Sequence, residues 1–188
     1  SLIESANLKN YTLKNGEKML TLAEGLEFCR DKIHLNIEFK DSREEIVERT
    51  LDVIEEAGML DQVTFSSFNH SYRKRLTQET ARRKIAPVNF GYLSHTYNLR
   101  FPNYKTTLAG DTLNLDIRYL EKSREKALQE INTAKKHGVL VKIWFPVQYE
   151  NETLYYQDLM KIGVNTIITN DPLDALDYFE TEQLKRSL

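Results

Sequence analysis

The feature that most constrains the fold is a regular alternation of short apolar runs with amphipathic stretches. Six apolar runs of strand length recur about every 25 residues, and each is followed by a connection or by a stretch with helical periodicity. Strands that alternate with helices in this way form parallel sheets through right-handed crossovers. The sequence therefore predicts an α/β protein, either an open doubly wound sheet or part of a (β/α) barrel. The predicted strands cover residues 33–39, 63–68, 87–93, 113–117, 139–145 and 165–169.

Helix start signals lie between these runs. Thr21 and Glu24, and again Ser42 and Glu45, have the spacing of a capping box, in which a hydroxyl and a carboxylate satisfy free amides at a helix N-terminus. Pro172 begins the last predicted helix, at the position where proline costs least.

The composition is that of a globular protein and argues against several functions. The chain of 188 residues carries 26 Lys and Arg against 28 Asp and Glu, so it lacks the positive charge that nucleic acid attracts. We interpret the basic stretches 73–75 and 82–84 as hydrated helix faces. No apolar run reaches the length of a transmembrane segment. The single cysteine, Cys29, permits no disulfide framework, and the compartment stays open with the cytoplasm favoured.

The first strand departs from the expected pattern, because buried parallel strands normally read as continuous apolar runs. Here polar and apolar residues alternate, which an edge strand with one hydrated face explains. A barrel strand whose polar face points inward explains it equally well, and Glu38 and Lys40 then lie at its carboxyl end, where barrels place their chemistry. A carboxylate suits a metal ion, and an ammonium group suits a phosphate oxygen. The polar face consists of His34, Asn36, Glu38 and Lys40.

Polar and aromatic residues also gather where later strands end. They occur at 66–69, 91–93, 144–145 and 169–172. Ordinary turn chemistry explains each group when it is taken singly. Together they are typical of residues that line a pocket at the mouth of a barrel.

In order along the chain, these motifs resemble those of the glycerophosphodiester phosphodiesterase family, from about residue 16 to about residue 180. Thr21 to Glu24 resembles the family's Thr-Leu-Glu-Glu helix start, and Asn36 to Lys40 resembles its Ile-Glu-x-Lys strand. Ser66 to Asn69 is similar to its Ser-Ser-Phe strand end. Trp144 stands in place of the Trp in its Val-Trp-Thr strand, and 163–172 is similar to its Gly-Val-Asp-Gly-Ile-Ile-Thr-Asp-x-Pro ending.

The resemblance implies a (β/α)₈ TIM barrel of the phospholipase C-like phosphodiesterase type. It implies metal-dependent hydrolysis of a small-molecule glycerophosphodiester to glycerol 3-phosphate and an alcohol. Glu38 is then a ligand of a divalent cation, Mg²⁺ or Ca²⁺, and Lys40 is the catalytic contact to the phosphate. Phe68, Trp144 and Leu93 are then substrate-binding residues.

The sequence also departs from the family. The family's first two strands carry His-Arg-Gly, Glu-x-Asp and His-Asp motifs, which supply the acid/base histidines and further metal carboxylates, and none is found here. We therefore expect a single domain over 1–188, with 1–20 as a connecting arm and 21–188 as barrel units three to eight. This chain alone is then expected to be inactive. The family's Trp-Thr-Val-Asn motif also reads Trp-Phe-Pro-Val from Trp144 onward, so the polar contacts of that loop are in question.

No local histidine offers an obvious replacement. His34 lies about 13 Å deeper than Glu38 at ~3.3 Å per strand residue, and His137 ends a predicted helix. His70 and His95 follow strand ends and could reach the mouth, but neither is expected to be catalytic.

Two other functions stay open. One carboxylate cannot hold a hard cation tightly, so the chain could be a non-catalytic degenerate barrel that binds a phosphate ester or a protein partner. It could also be a related phospholipase D-like phosphodiesterase with another headgroup preference, as in sphingomyelinase D. Six strands of eight leave two sheet edges, so we expect a homo-oligomer or an N-terminal segment that completes the barrel.

Overall fold

The structure, a computed structural model, describes residues 11–40, 43, 45–95 and 102–187. In this part of the chain, strands and helices alternate as the sequence predicts. The strands are β1 (Leu35–Glu38), β2 (Val63–Ser67), β3 (Phe90–Ser94), β4 (Thr112–Asp116), β5 (Leu140–Trp144) and β6 (Thr166–Ile168). The helices are α1 (Leu22–Cys29), α2 (Ile46–Ala57), α3 (Ser71–Arg83), α4 (Ile117–Lys122), α5 (Arg124–Lys136), α6 (Thr153–Lys161) and α7 (Pro172–Ser187). A short 3₁₀ helix, Leu60–Gln62, precedes β2.

The order of the strands in the sheet decides between the two predicted architectures. The strands follow chain order from β1 to β6, and β3 to β6 pair in parallel. A doubly wound sheet reverses its strand order at a switch point, and this sheet does not. The open-sheet alternative is therefore wrong, and the barrel-type α/β fold is confirmed.

Two predicted helix starts can be compared with the structure. At α1, Thr21 Oγ1 accepts a hydrogen bond from the backbone N–H of Glu24 at 3.3 Å, and the backbone N–H of Thr21 donates to Glu24 Oε2 at 2.8 Å. This capping box is confirmed, and so is the start of α7 at Pro172. Ser42, the first residue of the other predicted box, lies outside the described residues, as do residues 1–10 of the predicted arm.

The end of the fourth strand was predicted wrongly. The pattern extended the fourth strand to Ile117, but Ile117 is the first residue of α4. The Asp116 carboxylate accepts a hydrogen bond from the backbone N–H of Arg118 at 3.0 Å. This N-cap turns the chain into a helix one residue earlier than the apolar pattern suggests.

The chain divides into two compact units, and the prediction of a single domain stays a prediction. The first unit comprises 11–65 and 71–88, and the second comprises 66–70 and 89–187 within the described residues. None of the described helices combines the length and apolarity that a membrane span requires.

In the first unit, the apolar face of β1 continues into the core. Phe39 is buried, and its ring stacks on Phe65 with centroids 5.3 Å apart and packs against Tyr72 at 5.0 Å. Buried aliphatic side chains of the two long helices, such as Leu51 and Leu76, belong to the same core. The apolar side of this strand is thus anchored at its carboxyl end.

An ion-pair network joins α2 to α3 in the same unit. The side chain of Arg83 is only 12% exposed, and its guanidinium contacts Asp52 at 2.7 Å, Glu79 at 2.9 Å and also Glu55. Arg73, in the other basic stretch, is buried and donates to the carbonyl of Val88 at 2.8 Å. The interpretation of both basic stretches as hydrated faces is therefore wrong at these two arginines.

In the second unit, the two faces of the sheet differ. Buried aliphatic residues on one face, among them Leu115 and Ile143, pack with residues of α5, α6 and α7 into a single core. The strand registers place the intervening residues on the opposite face. There Asn114 is paired with Leu93 on one side and with Lys142 on the other, and Asp116 is paired with Trp144. This opposite face is largely polar.

The Arg83 network yields the first prediction. Glu79→Gln should lower the free energy of unfolding at pH 7 by about 1–3 kcal/mol, because a carboxylate bonded to two guanidinium groups becomes neutral. Hydrogen bonds from Arg82 and then from Arg83 lower the pKa of Glu79 from 4.5 to about 2. The stabilisation is therefore full above pH 4.5 and is lost as the pH falls through about 2. Urea unfolding at pH 7 and pH 3 measures it.

The matched control is Glu56→Gln on α2, whose side chain is exposed. That substitution should change the stability little at either pH. If Glu79→Gln lowered the free energy of unfolding by the same amount at pH 7 and at pH 3, the assigned ion pairing would be contradicted.

Candidate functional site

The predicted acid and amine pair lies at the carboxyl end of β1, in the first unit. Glu38 is the last residue of the strand, and its Oε2 lies 3.5 Å from the Nζ of Lys40. The Glu38 side chain is 27% exposed and that of Lys40 is 78% exposed. The predicted proximity of the two groups is confirmed. The described residues do not enclose Lys40, and its roles and those of Glu38 stay predictions.

The residues near Glu38 do not make a complete cation site. Across the described ranges, no group of three or more His, Cys, Asp and Glu side chains is placed to hold a metal ion. Mg²⁺ and Ca²⁺ take six or more oxygen ligands, and the Glu38 carboxylate has only two oxygens to offer. The described part of the chain therefore does not fit a resident metal by itself.

Three aromatic rings from three strand ends meet in the second unit. Phe68 follows β2, His95 follows β3, and Trp144 ends β5. The rings of Phe68 and His95 stack 3.8 Å apart with an interplanar angle of 4°. Trp144 meets both rings nearly at right angles, 5.9 Å from Phe68 and 6.0 Å from His95. We call these three residues the aromatic cluster.

The aromatic cluster brings together two of the three predicted substrate-binding residues, Phe68 and Trp144. Parallel strands end at the same edge of a sheet, which explains why residues distant in sequence meet there. Trp144 Nε1 is buried and has no hydrogen-bond partner among the described residues. The cluster therefore consists of ring surface together with a buried indole N–H that has no partner within the described part of the chain.

The third predicted residue, Leu93, is placed differently. Its side chain is buried in β3, two residues before His95, and its carbonyl lies 2.9 Å from His70 Nε2. The ring of His70 also meets Tyr92 edge-on at 5.1 Å. His70 is thus held against the backbone, and the substrate contact of Leu93 stays a prediction.

Polar residues on β4 and β5 were missed by the sequence analysis. Asp116 is fully buried and forms an ion pair with Arg118. Thr112 Oγ1 donates to Asn114 Oδ1 at 2.7 Å, and burial lowers the pKa of Lys142. The polar and apolar alternation of 112–116 is the same signal that identified the strand around Glu38, so the sequence did contain it.

A buried carboxylate joins the loops that follow β5 and β6. Glu152 accepts hydrogen bonds from Thr169 Oγ1 at 2.5 Å and from Asn170 Nδ2 at 2.7 Å. Asn170 Nδ2 also donates to the carbonyl of Pro146 at 2.9 Å. The loop whose sequence departs from the family motif after Trp144 is therefore held by Asn170. A pocket of about 320 Å³ lies beside these residues.

Solved structures with the same fold come from several organisms. A protein from Galdieria sulphuraria, provisionally assigned as a glycerophosphodiester phosphodiesterase, matches with a TM-score of 0.75 at 19% identity. The match covers 95% of this chain and 70% of that one. The fold is that of the glycerophosphodiester phosphodiesterases. The resemblance seen in the sequence is thus confirmed at the level of the fold.

Two further glycerophosphodiester phosphodiesterases agree with this assignment. The enzyme from Parabacteroides distasonis matches with a TM-score of 0.69 at 19% identity, over 95% of this chain and 71% of that one. The enzyme from Agrobacterium tumefaciens matches with a TM-score of 0.63 at 12% identity, over 91% and 70%. No protein-family model and no curated protein matches the sequence. In each comparison, nearly all of this chain corresponds to about 70% of a longer phosphodiesterase fold.

The aromatic cluster can be tested without a substrate, because Trp144 is the only tryptophan. Phe68→Ala should shift the Trp144 emission maximum to longer wavelength, since the indole loses an aromatic neighbour and gains contact with water. The lost ring pairs should also cost about 0.5–1.5 kcal/mol each. Steady-state fluorescence and thermal unfolding measure the two effects.

Phe28→Ala is the control, because Phe28 is 69% exposed and lies in the first unit. Its emission spectrum should equal that of the wild type. An unchanged spectrum in Phe68→Ala would show that the two rings do not meet in solution.

Proposed function

We propose that this chain forms the substrate-facing part of a glycerophosphodiester phosphodiesterase. The observation that supports the proposal most directly is the fold match over 95% of the chain. Proteins of this fold named above are glycerophosphodiester phosphodiesterases. The proposed reaction is hydrolysis of a glycerophosphodiester to glycerol 3-phosphate and an alcohol, as part of the breakdown of metabolites derived from phospholipids.

The proposed roles of the first unit follow from charge. Lys40, whose ammonium is largely exposed, contacts a phosphoryl oxygen and stabilises the negative charge that develops there. Glu38 is one ligand of a divalent cation, and the other ligands come from residues outside the described part of the chain. When bound, such a cation polarises the phosphoryl oxygens. We assign no step to it here, because Glu38 alone does not make its site.

The proposed roles of the second unit follow from shape and polarity. Phe68 and Trp144 present ring surface to the organic part of the substrate, and Leu93 is a third substrate-binding residue. These groups orient the diester but move no proton. We therefore propose that acid/base catalysis requires the His-Arg-Gly and Glu-x-Asp motifs of the family, and that the 188-residue chain alone is inactive. The expected oligomer stays a prediction.

One observation favours a second candidate, a non-catalytic phosphate-ester-binding protein. The carboxylate of Glu38 already has the ammonium of Lys40 as its neighbour, which weakens its attraction for a cation. Calorimetry with Mg²⁺ and with glycerophosphocholine separates the candidates. Binding of the diester without metal binding and without turnover would support the non-catalytic function.

The enzymatic proposal is tested on the chain expressed together with whatever coding sequence precedes residue 1. This protein should release glycerol 3-phosphate from glycerophosphocholine when Mg²⁺ or Ca²⁺ is added. Glu38→Ala should reduce that rate by about 100-fold or more, because the divalent cation would lose a protein ligand and the positive charge it would supply at the phosphoryl oxygens. A coupled assay for glycerol 3-phosphate measures both rates.

Glu56→Ala serves as the control, since Glu56 is an exposed glutamate on α2, and it should keep the wild-type rate. Full activity in Glu38→Ala would refute the role of that residue. Absence of turnover in the wild-type protein with its preceding segment would refute the enzymatic proposal.

A further inference from the structure

His95 has a fixed ring and an open edge. It directly follows β3, and its side chain is exposed. One face of the imidazole is covered by Phe68 at 3.8 Å, and Trp144 meets the ring nearly at right angles. Stacking uses the face of a ring, so the contacts with Phe68 and Trp144 do not occupy the two nitrogens at its edge. The aromatic cluster therefore holds the imidazole in one orientation through ring contacts that do not involve its nitrogens.

The ring nitrogens of His95 differ from those of two other histidines. In the described part of the chain, neither nitrogen of His95 has a hydrogen-bond partner. In contrast, His70 Nε2 lies 2.9 Å from the Leu93 carbonyl, and His137 Nδ1 lies 2.9 Å from the Thr133 carbonyl. An imidazole ring carries at least one N–H donor in either protonation state, and an N–H group at the ring edge can donate to an anion. His95 is thus suited to an anionic ligand.

We propose that His95 is an anion-binding residue whose ring N–H donates to a phosphate oxygen of a ligand held on the aromatic cluster. The inference deepens the proposed function, on which it rests, by assigning a phosphate contact from the second unit. The organic part of the ligand packs on the rings of Phe68 and Trp144, and the phosphate lies at the edge of the imidazole. A phosphate monoester, a phosphodiester and free phosphate share this oxygen chemistry.

Trp144 reports on this contact directly. It is the only tryptophan, and its ring lies 6.0 Å from that of His95. The 188-residue chain is titrated with glycerol 3-phosphate, glycerophosphocholine, inorganic phosphate and glycerol, and Trp144 fluorescence is recorded with the histidine Cε1 proton resonances. The three phosphate ligands should produce saturable changes in both signals, with the His95 resonance moving most. Glycerol should produce none.

Substitutions separate a binding role from a packing role. His95→Phe keeps a stacked ring and removes both nitrogens, so the apparent Kd for glycerol 3-phosphate should rise at least about tenfold. His95→Gln restores an N–H donor and should recover part of the affinity. His137→Phe is the matched control, because His137 also stacks on an aromatic ring, that of Tyr104 at 4.7 Å. Its affinity should equal that of the wild type.

Two outcomes would overturn the inference. One is a wild-type chain whose Trp144 and His95 signals do not respond to any phosphate ligand while circular dichroism shows it folded. The other is wild-type affinity in His95→Phe. Failure of the proposed function is a different result: phosphate binding that depends on His95, without hydrolysis in the protein that carries its preceding segment, leaves this inference intact and refutes the enzymatic one.

Discussion

Parallel pairing of strands in chain order is the constraint on which the candidate site depends. In the second unit, β3 to β6 pair in parallel with a fixed register. Every carboxyl end therefore lies at one edge, and residues that follow different strands become neighbours. His95 and Trp144 are far apart in sequence, yet their rings lie 6.0 Å apart. The same register places a polar face opposite the apolar core.

The fold could be predicted where the signal is local. A capping box such as that of Thr21 involves only four consecutive residues. The apolar runs of the strands can likewise be recognised without knowing which strands pair with each other. The prediction failed where a contact with a distant residue, or a competing local hydrogen bond, determines the structure. The Asp116 carboxylate caps a helix that begins at Ile117, although the apolar side chain of Ile117 continues the strand pattern. The side chain of Arg83 is only 12% exposed, and its carboxylate partners come from α2 as well as α3. The sequence of one helix alone does not reveal partners on another.

The candidate site was predictable in part for the same reason. Alternation within one strand places Glu38 and Lys40 on one face, and the structure brings them within 3.5 Å. The strand ends indicated Phe68 and Trp144. Nothing in the sequence indicated that His95 would stack on Phe68 while His70 turns to a backbone carbonyl. Both histidines follow a strand end, and only the packing of neighbouring strands distinguishes them.

The contact between Glu38 and Lys40 contributes little to stability. Exposed ion pairs contribute about 0–1 kcal/mol, and Lys40 is largely exposed, so the pair adds little to folding. For the same reason, separating the two side chains costs little free energy. A cation that approaches the carboxylate and an anion that approaches the ammonium would each replace a weak partner with a stronger one. The strand end thus holds both charges without burying the pair. Breaking a buried ion pair by removing one partner would instead leave an uncompensated charge and cost much more.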